Sequence, residues 1–283
     1  MEILRNKSEI IDFLALEKRK GREIGLIPTM GALHEGHISL VRKAVLENDI
    51  SVCSIFVNPA QFNNPEDFAN YPVNPDGDIQ LLGSAGCSVV FLPDSREIYD
   101  MGTNGYLTID FGYLNTICEG RYRPGHFSGV GLIVAKLFNI IMPHRAYFGQ
   151  KDLQQFAVIR KLVHDLSIPV ELRRMPIIRE PDGLAMSSRN QRISPADRPG
   201  AIIFHQTLMR AKRLLLEGYN TERIKKEAID QFNGDQVYRL EYLELVNADN
   251  FELVENYEGQ PNLAFCIAGY CRNIRLIDNL LIN

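Results

Sequence analysis

The first part of the chain alternates short apolar runs with amphipathic helical patterns. Ser8 precedes apolar residues spaced as on one helix face from Ile10 to Leu14, which predicts a capped helix, and the apolar run 24–27 predicts a buried strand. The alternation continues with predicted helices at 38–46, 76–84, 130–141 and 153–166 and predicted strands at 52–57, 88–92, 146–148 and 170–175. This order favours an α/β fold with a Rossmann-like, doubly wound parallel sheet, whose ligands bind beyond the carboxyl ends of the strands.

The pattern changes after about residue 176. Charged helical patterns at 199–217 and 221–232 precede strand-like runs at 238–246, 263–268 and 272–277. We therefore predict two domains: a Rossmann-like domain over residues 1–176 and a smaller α+β domain over 177–283 that acts as a lid. The length of 283 residues agrees with two domains, because single cores rarely grow so large.

Composition narrows the classes of function. The formal net charge of −4 gives no basic field, so nucleic acid is not expected as the main partner. No apolar run approaches the roughly 18 residues of a membrane span, and the N-terminus lacks a signal-peptide core. The five cysteines form no C-x-x-C pair and are odd in number, which favours buried thiols over disulfides or a zinc ribbon. These features predict a cytoplasmic protein.

The run from Pro28 to His37, PTMGALHEGH, lies between a predicted strand and the helix that follows it. Gly31 and Gly36 allow the backbone to approach a ligand, and the N–H groups at the start of the helix favour an anion such as phosphate. His34 and His37 are suited to donate hydrogen bonds to phosphate oxygens as negative charge develops in a transition state. Zinc binding and a structural role are the alternatives, but zincins need H-E-x-x-H, and here the histidines are three apart.

A second polar loop follows the predicted domain boundary. Met186 to Arg189, MSSR, comes after Arg179 and a turn at 181–183. Two hydroxyls and a guanidinium suit polyphosphate binding. Taken alone, the loop is better explained as a polar interdomain linker.

The histidine run and the MSSR loop together resemble the HIGH and KMSKS signatures of the nucleotidyltransferase superfamily, which includes class I aminoacyl-tRNA synthetases. Four further motifs narrow the resemblance. They are FVNPAQF at 56–62, PED at 65–67 with Tyr71-Pro72, EGxxRPGHF at 119–127 and FGQKDLQQ at 148–155. In this order they resemble the pantoate–β-alanine ligase family, from about residue 27 to 192 and more loosely to the C-terminus.

The resemblance implies an ATP-dependent acid–amino-acid ligase. In that family (R)-pantoate and ATP give pantoyl adenylate and pyrophosphate, and β-alanine then attacks the activated carbonyl to give pantothenate and AMP. It also implies Mg²⁺ with ATP as co-substrate, no tightly bound organic cofactor, and a homodimer. A carboxylate is a poor electrophile, so the mixed anhydride supplies AMP as a leaving group.

The resemblance also implies that the domain over residues 1–176 binds nucleotide and pantoate, and it assigns roles to individual residues. His34, His37 and Lys151 would be catalytic, and Gln61 and Gln155 would bind pantoate. The residues implied for ATP binding are Met30, His37, Gly149, Lys151, Asp152, Met186, Ser187, Ser188 and Arg189, and Asp78 is implied for the metal. Other interpretations stay open: Asp152 as a helix N-cap, the two glutamines as polar loop residues, and Asp78 as part of a polar helix surface.

The EGxxRPGHF motif and the residue after Tyr71-Pro72 add to the resemblance in different ways. Glu119, Arg123, His126 and Phe127 would shape and cover the site. The family often has Arg after Tyr-Pro, whereas this chain has Val73, so any role of that arginine is absent here.

Two rival functions remain. A nucleotidylyltransferase would join AMP or CMP to a phosphorylated acceptor without needing an amine; Gln61 and Gln155, with no second arginine-rich phosphate pocket nearby, speak against it. A non-catalytic nucleotide sensor would use the same phosphate-binding groups, although His34, His37 and Lys151 are all intact.

Overall fold

A computed structural model describes residues 1–63, 65–99 and 105–282. The chain divides into two compact units, one formed by Met1–Gly149 with Val158–Met175 and the other by Gln150–Ala157 with Pro176–Asn283. The turn that carries Lys151 thus groups with the C-terminal unit. The sequence-based boundary at 176 and the lid role of the C-terminal domain stay predictions.

The first unit is built on a parallel sheet. Its strands are β1 Glu2–Leu4, β2 Ile24–Thr29, β3 Ile50–Ile55, β4 Val89–Phe91, β5 Arg145–Gly149 and β6 Glu171–Met175. Their order is β1-β4-β3-β2-β5-β6, and every pairing is parallel. The order reverses between β2 and β5, and a reversal of this kind marks the usual ligand position in doubly wound sheets. The predicted fold class is confirmed.

Helices connect these strands. They are α1 Lys7–Arg19, α2 Glu35–Glu47, α3 Pro65–Ala69, α4 Pro75–Ser84, α5 Ser95–Ile98, α6 Cys118–Tyr122, α7 His126–Ile141 and α8 Leu153–Asp165. The first helix begins one residue before the predicted cap Ser8. Its N-cap is Asn6, whose backbone N–H and side-chain amide both donate to the carboxylate of Glu9.

The core of the first unit lies between the central strands and their helices. Buried residues from β2, β3 and α2 pack together, among them Ile27, Cys53 and Val41. On α7, Gly129 allows close approach of the segment that follows β3, since a Cβ at Gly129 would lie 2.1 Å from the carbonyl oxygen of Ala60. This contact sets the position of the turn that carries Gln61.

The second unit is α+β, as predicted. Its larger elements are α9 Ile203–Leu216, α10 Thr221–Phe232, β7 Tyr238–Asn247, β8 Leu263–Cys271 and β9 Ile274–Leu281. The strands form an antiparallel sheet in the order β7-β8-β9. Phe204, Phe232 and Phe265 are buried together in its core. Across both units, no helix among the described residues combines the length and the apolar character that crossing a bilayer requires.

Candidate active site

The predicted histidine turn lies at the carboxyl end of β2. Met30 follows the last strand residue, and His34 is the N-cap of α2. Strand β5, which pairs with β2 in parallel, ends at Gly149. The turn therefore occupies the edge of the sheet where the strand order reverses, which is the ligand position expected for this fold.

His34 and His37 are held by backbone N–H groups. The Nδ1 atom of His34 accepts from the backbone N–H of Gly36 at 3.2 Å, and the Nδ1 atom of His37 accepts from the backbone N–H of His34 at 3.3 Å. The ring centroids are 4.1 Å apart. Because Nδ1 is an acceptor in both rings, the proton of each neutral imidazole lies on Nε2. Both histidines therefore present the N–H donor that contact with a phosphate oxygen requires.

Asp78 of α4 holds the same turn. Its two carboxylate oxygens accept from the backbone N–H groups of Ala32 at 2.9 Å and Leu33 at 2.7 Å. The side chain is buried, and burial raises the pKa of Asp78, while the two N–H bonds oppose that rise. Asp78 thus ties α4 to the histidine turn.

Gln61 is fixed by the buried amide of Asn58, which lies in the FVNPAQF motif but was assigned no role from the sequence. The Nδ2 group of Asn58 donates to Gln61 Oε1 and to the carbonyl oxygen of Gly129, both at 3.0 Å. With its oxygen occupied, Gln61 directs Nε2 toward the Sδ atom of Met30 at 2.8 Å. Two residues predicted to contact substrates, Met30 and Gln61, are therefore neighbours in the structure.

The orientation of Asn58 is set in turn by Tyr99. The Tyr99 hydroxyl donates to Asn58 Oδ1 at 2.6 Å. Burial, with a smaller effect from Tyr106, raises the pKa of Tyr99 far above its ordinary value, so the hydroxyl stays protonated and acts as a donor. Sequence reasoning missed Tyr99, because it lies 41 positions from Asn58 and no local spacing connects the two.

His126 holds the backbone of Gln61. Arg123 is always a donor, and its Nη1 atom lies 2.9 Å from His126 Nε2, so the His126 proton lies on Nδ1. That Nδ1 group is 2.9 Å from the carbonyl oxygen of Gln61 and donates to it. The Oε2 atom of Glu119 lies 3.7 Å from the Nη1 atom of Arg123. The EGxxRPGHF motif therefore shapes the Gln61 turn by direct contacts.

In the second unit, the predicted phosphate residue Lys151 lies in a single 3₁₀ turn, Gln150–Asp152, just before α8. Asn279 of β9 donates from Nδ2 to the carbonyl oxygens of Gln150 and Lys151, both at 2.9 Å. Gln155 lies in the first part of α8 and is half-buried.

The MSSR loop of the second unit follows a short bridged segment. Arg179 and Ala185 form an antiparallel bridge, and Arg179 makes a bidentate ion pair with Asp278 at 2.6 and 3.0 Å. Beyond the bridge, the hydroxyl of Ser187 accepts from the backbone N–H of Arg189 at 3.3 Å, which begins a 3₁₀ turn over Ser188–Arg192.

The donor set for a metal ion is small. Within 1–63, 65–99 and 105–282, no three His, Cys, Asp or Glu side chains group closely enough to hold a metal ion. Asp78 supplies one carboxylate whose oxygens already accept two backbone N–H groups. Such a set fits an ion like Mg²⁺ only if phosphate oxygens of a bound nucleotide supply most of its ligands, as is common for this ion.

The predicted site residues thus fall into two groups, one in each compact unit. The first unit brings together Met30, His34, His37, Gln61 and Asp78, with Gly149 at the end of β5. The second unit holds Lys151, Asp152, Gln155, Met186, Ser187, Ser188 and Arg189.

The reversal of strand order in a fully parallel sheet places this chain among the doubly wound α/β proteins, which bind ligands at the carboxyl ends of their strands, where this chain has its two histidines. The family model for pantoate–β-alanine ligase matches residues 2–281. The chain belongs to the pantoate–β-alanine ligase family. The resemblance seen in the motifs is confirmed, and so is the predicted class of enzyme, an acid–amino-acid ligase.

Individual relatives agree over the full length. The pantothenate synthetase of Cytophaga hutchinsonii is 49% identical over 95% of both chains, and that of Acetivibrio thermocellus is 45% identical over 100% of this chain and 99% of its own. A crystal structure of pantothenate synthetase from Thermus thermophilus matches with a TM-score of 0.91 at 36% identity, over 100% of this chain and 99% of the other. The Francisella tularensis pantoate–β-alanine ligase, solved in complex with beta-gamma ATP and β-alanine, matches with a TM-score of 0.78 at 35% identity, over 100% and 98%.

Proposed function

We propose that this chain condenses (R)-pantoate with β-alanine at the expense of ATP, through pantoyl adenylate. A pantoate carboxylate oxygen attacks the α-phosphorus of ATP, and the bond to the β-phosphate breaks to release pyrophosphate. The β-alanine amine then attacks the carbonyl carbon of the adenylate, AMP leaves, and the amine loses a proton. Pantothenate and AMP are the products.

The observation that carries the proposal is the pair of Nε2–H donors on His34 and His37 at the start of α2, in a chain of this ligase family. Negative charge builds on the α-phosphate oxygens as the carboxylate attacks. Fixed donors stabilise that charge without rearranging, and they act more strongly where water is excluded. The partial positive charge at the start of α2 adds to the effect.

The other predicted residues take supporting roles in this proposal. Lys151 places a cation against ATP phosphate, Asp152 accepts from ribose hydroxyls, and Gly149 allows close approach of the backbone. The MSSR loop contributes Met186, the hydroxyls of Ser187 and Ser188, and the Arg189 guanidinium, which suits phosphate oxygens.

We assign pantoate to the two glutamines. Asn58 orients Gln61 so that its Nε2 group points to Met30. A primary amide has two N–H donors, and we assign the second one of Gln61 to a carboxylate or hydroxyl oxygen of pantoate. Gln155 would supply a second amide, which is able both to donate and to accept. Met30 would line the site with an apolar, adaptable surface.

Mg²⁺ is part of the proposal as a companion of ATP. When bound, it neutralises phosphate charge. The contacts of Asp78 with Ala32 and Leu33 give this carboxylate a positioning role in the histidine turn, and its contact with the metal stays a prediction. The homodimer and the cytoplasmic location also stay predictions, and sedimentation velocity would test the first.

The deciding experiment measures pyrophosphate and AMP released from ATP and Mg²⁺ with (R)-pantoate, with and without β-alanine. We expect a burst of one pyrophosphate per enzyme without β-alanine, and steady AMP and pantothenate formation once it is added. Absence of pantoate-dependent pyrophosphate would contradict the proposal and direct attention to phosphorylated acceptors, the substrates of a nucleotidylyltransferase.

A further inference from the structure

Two adjacent polar residues near the end of β9, Asp278 and Asn279, are buried at 5% and 2% exposure. Neither belongs to the motifs that mark the predicted site. Buried polar groups lower stability unless they are hydrogen-bonded, so the partners of this pair define what the pair does.

Asn279 is bonded to the backbone of the turn that carries Lys151. Its Nδ2 group donates to the carbonyl oxygens of Gln150 and Lys151, both at 2.9 Å, and its Oδ1 atom accepts from Gln150 Nε2 at 3.0 Å. Two carbonyl acceptors require the nitrogen end of the amide, so the orientation of the Asn279 side chain is determined by this turn.

Asp278 is bonded to the other segment. Its two oxygens accept from Arg179 Nη1 at 2.6 Å and Nη2 at 3.0 Å, and Arg179 also donates to the carbonyl oxygen of Gly183 at 3.0 Å. Arg179 forms the bridge with Ala185, after which the MSSR loop begins. The ion pair therefore fixes the entry to that loop.

Successive side chains of a strand point to opposite faces, so two neighbouring residues are able to hold two different segments. Arg179 joins the two anchors, because its Nη2 group also donates to the backbone carbonyl of Asn279 at 3.3 Å. The end of β9 is thus bonded at once to the Lys151 turn and to the segment leading into Ser187–Arg189.

We propose that Asp278 and Asn279 are positioning residues for ATP, through which β9 sets the distance between the Lys151 turn and the MSSR loop. The inference rests on the proposed function, because it takes Lys151 and Ser187–Arg189 as the phosphate-binding groups. Neither Asp278 nor Asn279 touches the nucleotide; they act through the backbone of the groups that do.

The main test replaces the side-chain amide nitrogen of Asn279 with an oxygen. Asn279→Asp keeps the size of the side chain but turns an oxygen toward the carbonyls of Gln150 and Lys151, where two hydrogen bonds are lost. A displacement of about 1 Å in a positioning group lowers catalytic efficiency by up to about 100-fold. Because the displaced groups bind ATP, we expect this loss as a rise of about 10- to 100-fold in the KM for ATP. The KM values for pantoate and β-alanine should stay unchanged.

A second variant removes the other anchor with little change of charge. Arg179→Lys keeps the cation but loses the fork that binds both oxygens of Asp278. We expect the same selective rise in the KM for ATP, smaller than for Asn279→Asp. Direct calorimetric titration with ATP and Mg²⁺ measures the binding without turnover.

Two controls separate positioning from stability and charge. Leu276→Ala removes a buried apolar side chain of the same strand and should lower the melting temperature without a selective effect on ATP. Asn250→Asp makes the same chemical change at an exposed turn of this unit and should change neither quantity.

Equal changes in all three KM values, or a melting-temperature loss like that of Leu276→Ala with ATP affinity intact, would overturn the inference. Failure of the proposed function has a different signature, since the unaltered protein would then release no pantoate-dependent pyrophosphate. Calorimetry still decides the inference in that case: weaker ATP binding by both variants supports it, and unchanged or undetectable binding in all proteins rejects it.

Discussion

The turn after β2 and the turn after β5 are held by opposite kinds of backbone contact. Asp78 fixes the histidine turn by accepting from the N–H groups of Ala32 and Leu33, whereas Asn279 fixes the Lys151 turn by donating to two carbonyl oxygens. An ionised carboxylate accepts hydrogen bonds and donates none, whereas an amide nitrogen donates and does not accept. Each position therefore requires its own residue, and exchanging Asp and Asn disrupts both turns for opposite reasons.

The comparison also separates two levels of a site. Asp78 and Asn279 hold backbone that carries the predicted ligand-binding groups, whereas His34 and Gln61 belong to those groups. Variants of the ligand-binding groups should change turnover or the requirement for one substrate with little loss of stability. Variants of the residues that hold the backbone should change both the kinetics and the stability.

His34→Ala should give the largest loss of turnover. Removing one fixed donor at a developing negative charge lowers kcat by a factor on the order of 10² to 10³. The melting temperature should stay nearly unchanged, because His34 is only partly buried. Steady-state kinetics and a thermal melt on the same preparation measure both quantities.

His164→Ala is the matched control for that variant, since the His164 side chain is 88% exposed at the end of α8. It should leave kcat unchanged. If the lost turnover of His34→Ala were fully accounted for by a lower fraction of folded protein, the role of His34 as N-cap of α2 would explain the whole effect and a catalytic role would be contradicted.

Asp78→Asn tests the acceptor side of the comparison. An amide keeps one oxygen but turns an N–H₂ group toward a backbone N–H, so one buried donor loses its partner, at a cost of about 1 to 3 kcal/mol in the free energy of unfolding. Displacement of the histidine turn should also lower kcat, by up to about 100-fold. Denaturant unfolding and steady-state kinetics measure the two effects.

Asp76→Asn, two residues earlier on α4 and exposed, makes the same chemical change away from the turn. It should alter neither quantity. Should Asp78→Asn keep full stability but need far more Mg²⁺, the metal contact predicted from the family would be favoured over the positioning role.

Much of the fold follows from local patterns. The predicted helix 221–232 coincides with α10, and the runs at 24–27 and 170–175 fall on β2 and β6, because apolar periodicity reports which face of an element is buried. The three-residue β1 was missed, since it is short and largely exposed, and a pattern of period two needs a longer run to be seen.

The site, like the fold, has parts that local sequence patterns predict and parts that they do not. The histidine turn was predictable because glycines, histidines and the helix start are contiguous in sequence. The contact that holds this turn was not predictable, because Asp78 lies 45 and 46 positions from its partners. The same is true of the Lys151 turn, whose partner Asn279 lies 128 and 129 positions away. Only the topology of the sheets brings such residues together, and no spacing rule encodes it.

Gln61→Ala tests a group assigned to substrate. Loss of one amide that binds a hydroxy acid should raise the KM for pantoate about 10- to 50-fold, as removal of a buried hydrogen bond does. The KM for ATP should change far less. Equal changes in both would contradict the assignment to pantoate, and Gln80→Ala, at an exposed position of α4, should change neither.

Tyr99→Phe should have the smallest effect and the most specific meaning. It removes only the hydroxyl that donates to Asn58 Oδ1, so Asn58 gains freedom to rotate and its bond to Gln61 Oε1 weakens. One neutral hydrogen bond contributes about 0.5 to 1.5 kcal/mol, which corresponds to a rise of about 2- to 10-fold in the KM for pantoate, with kcat and the KM for ATP nearly constant. Tyr113→Phe, at a residue that is 48% exposed, is the matched control and should behave like the unaltered protein. If Tyr99→Phe left the pantoate requirement unchanged while Gln61→Ala raised it, Gln61 would keep its orientation through Asn58 alone. The two-step connection from Tyr99 to the substrate amide would then have no functional part.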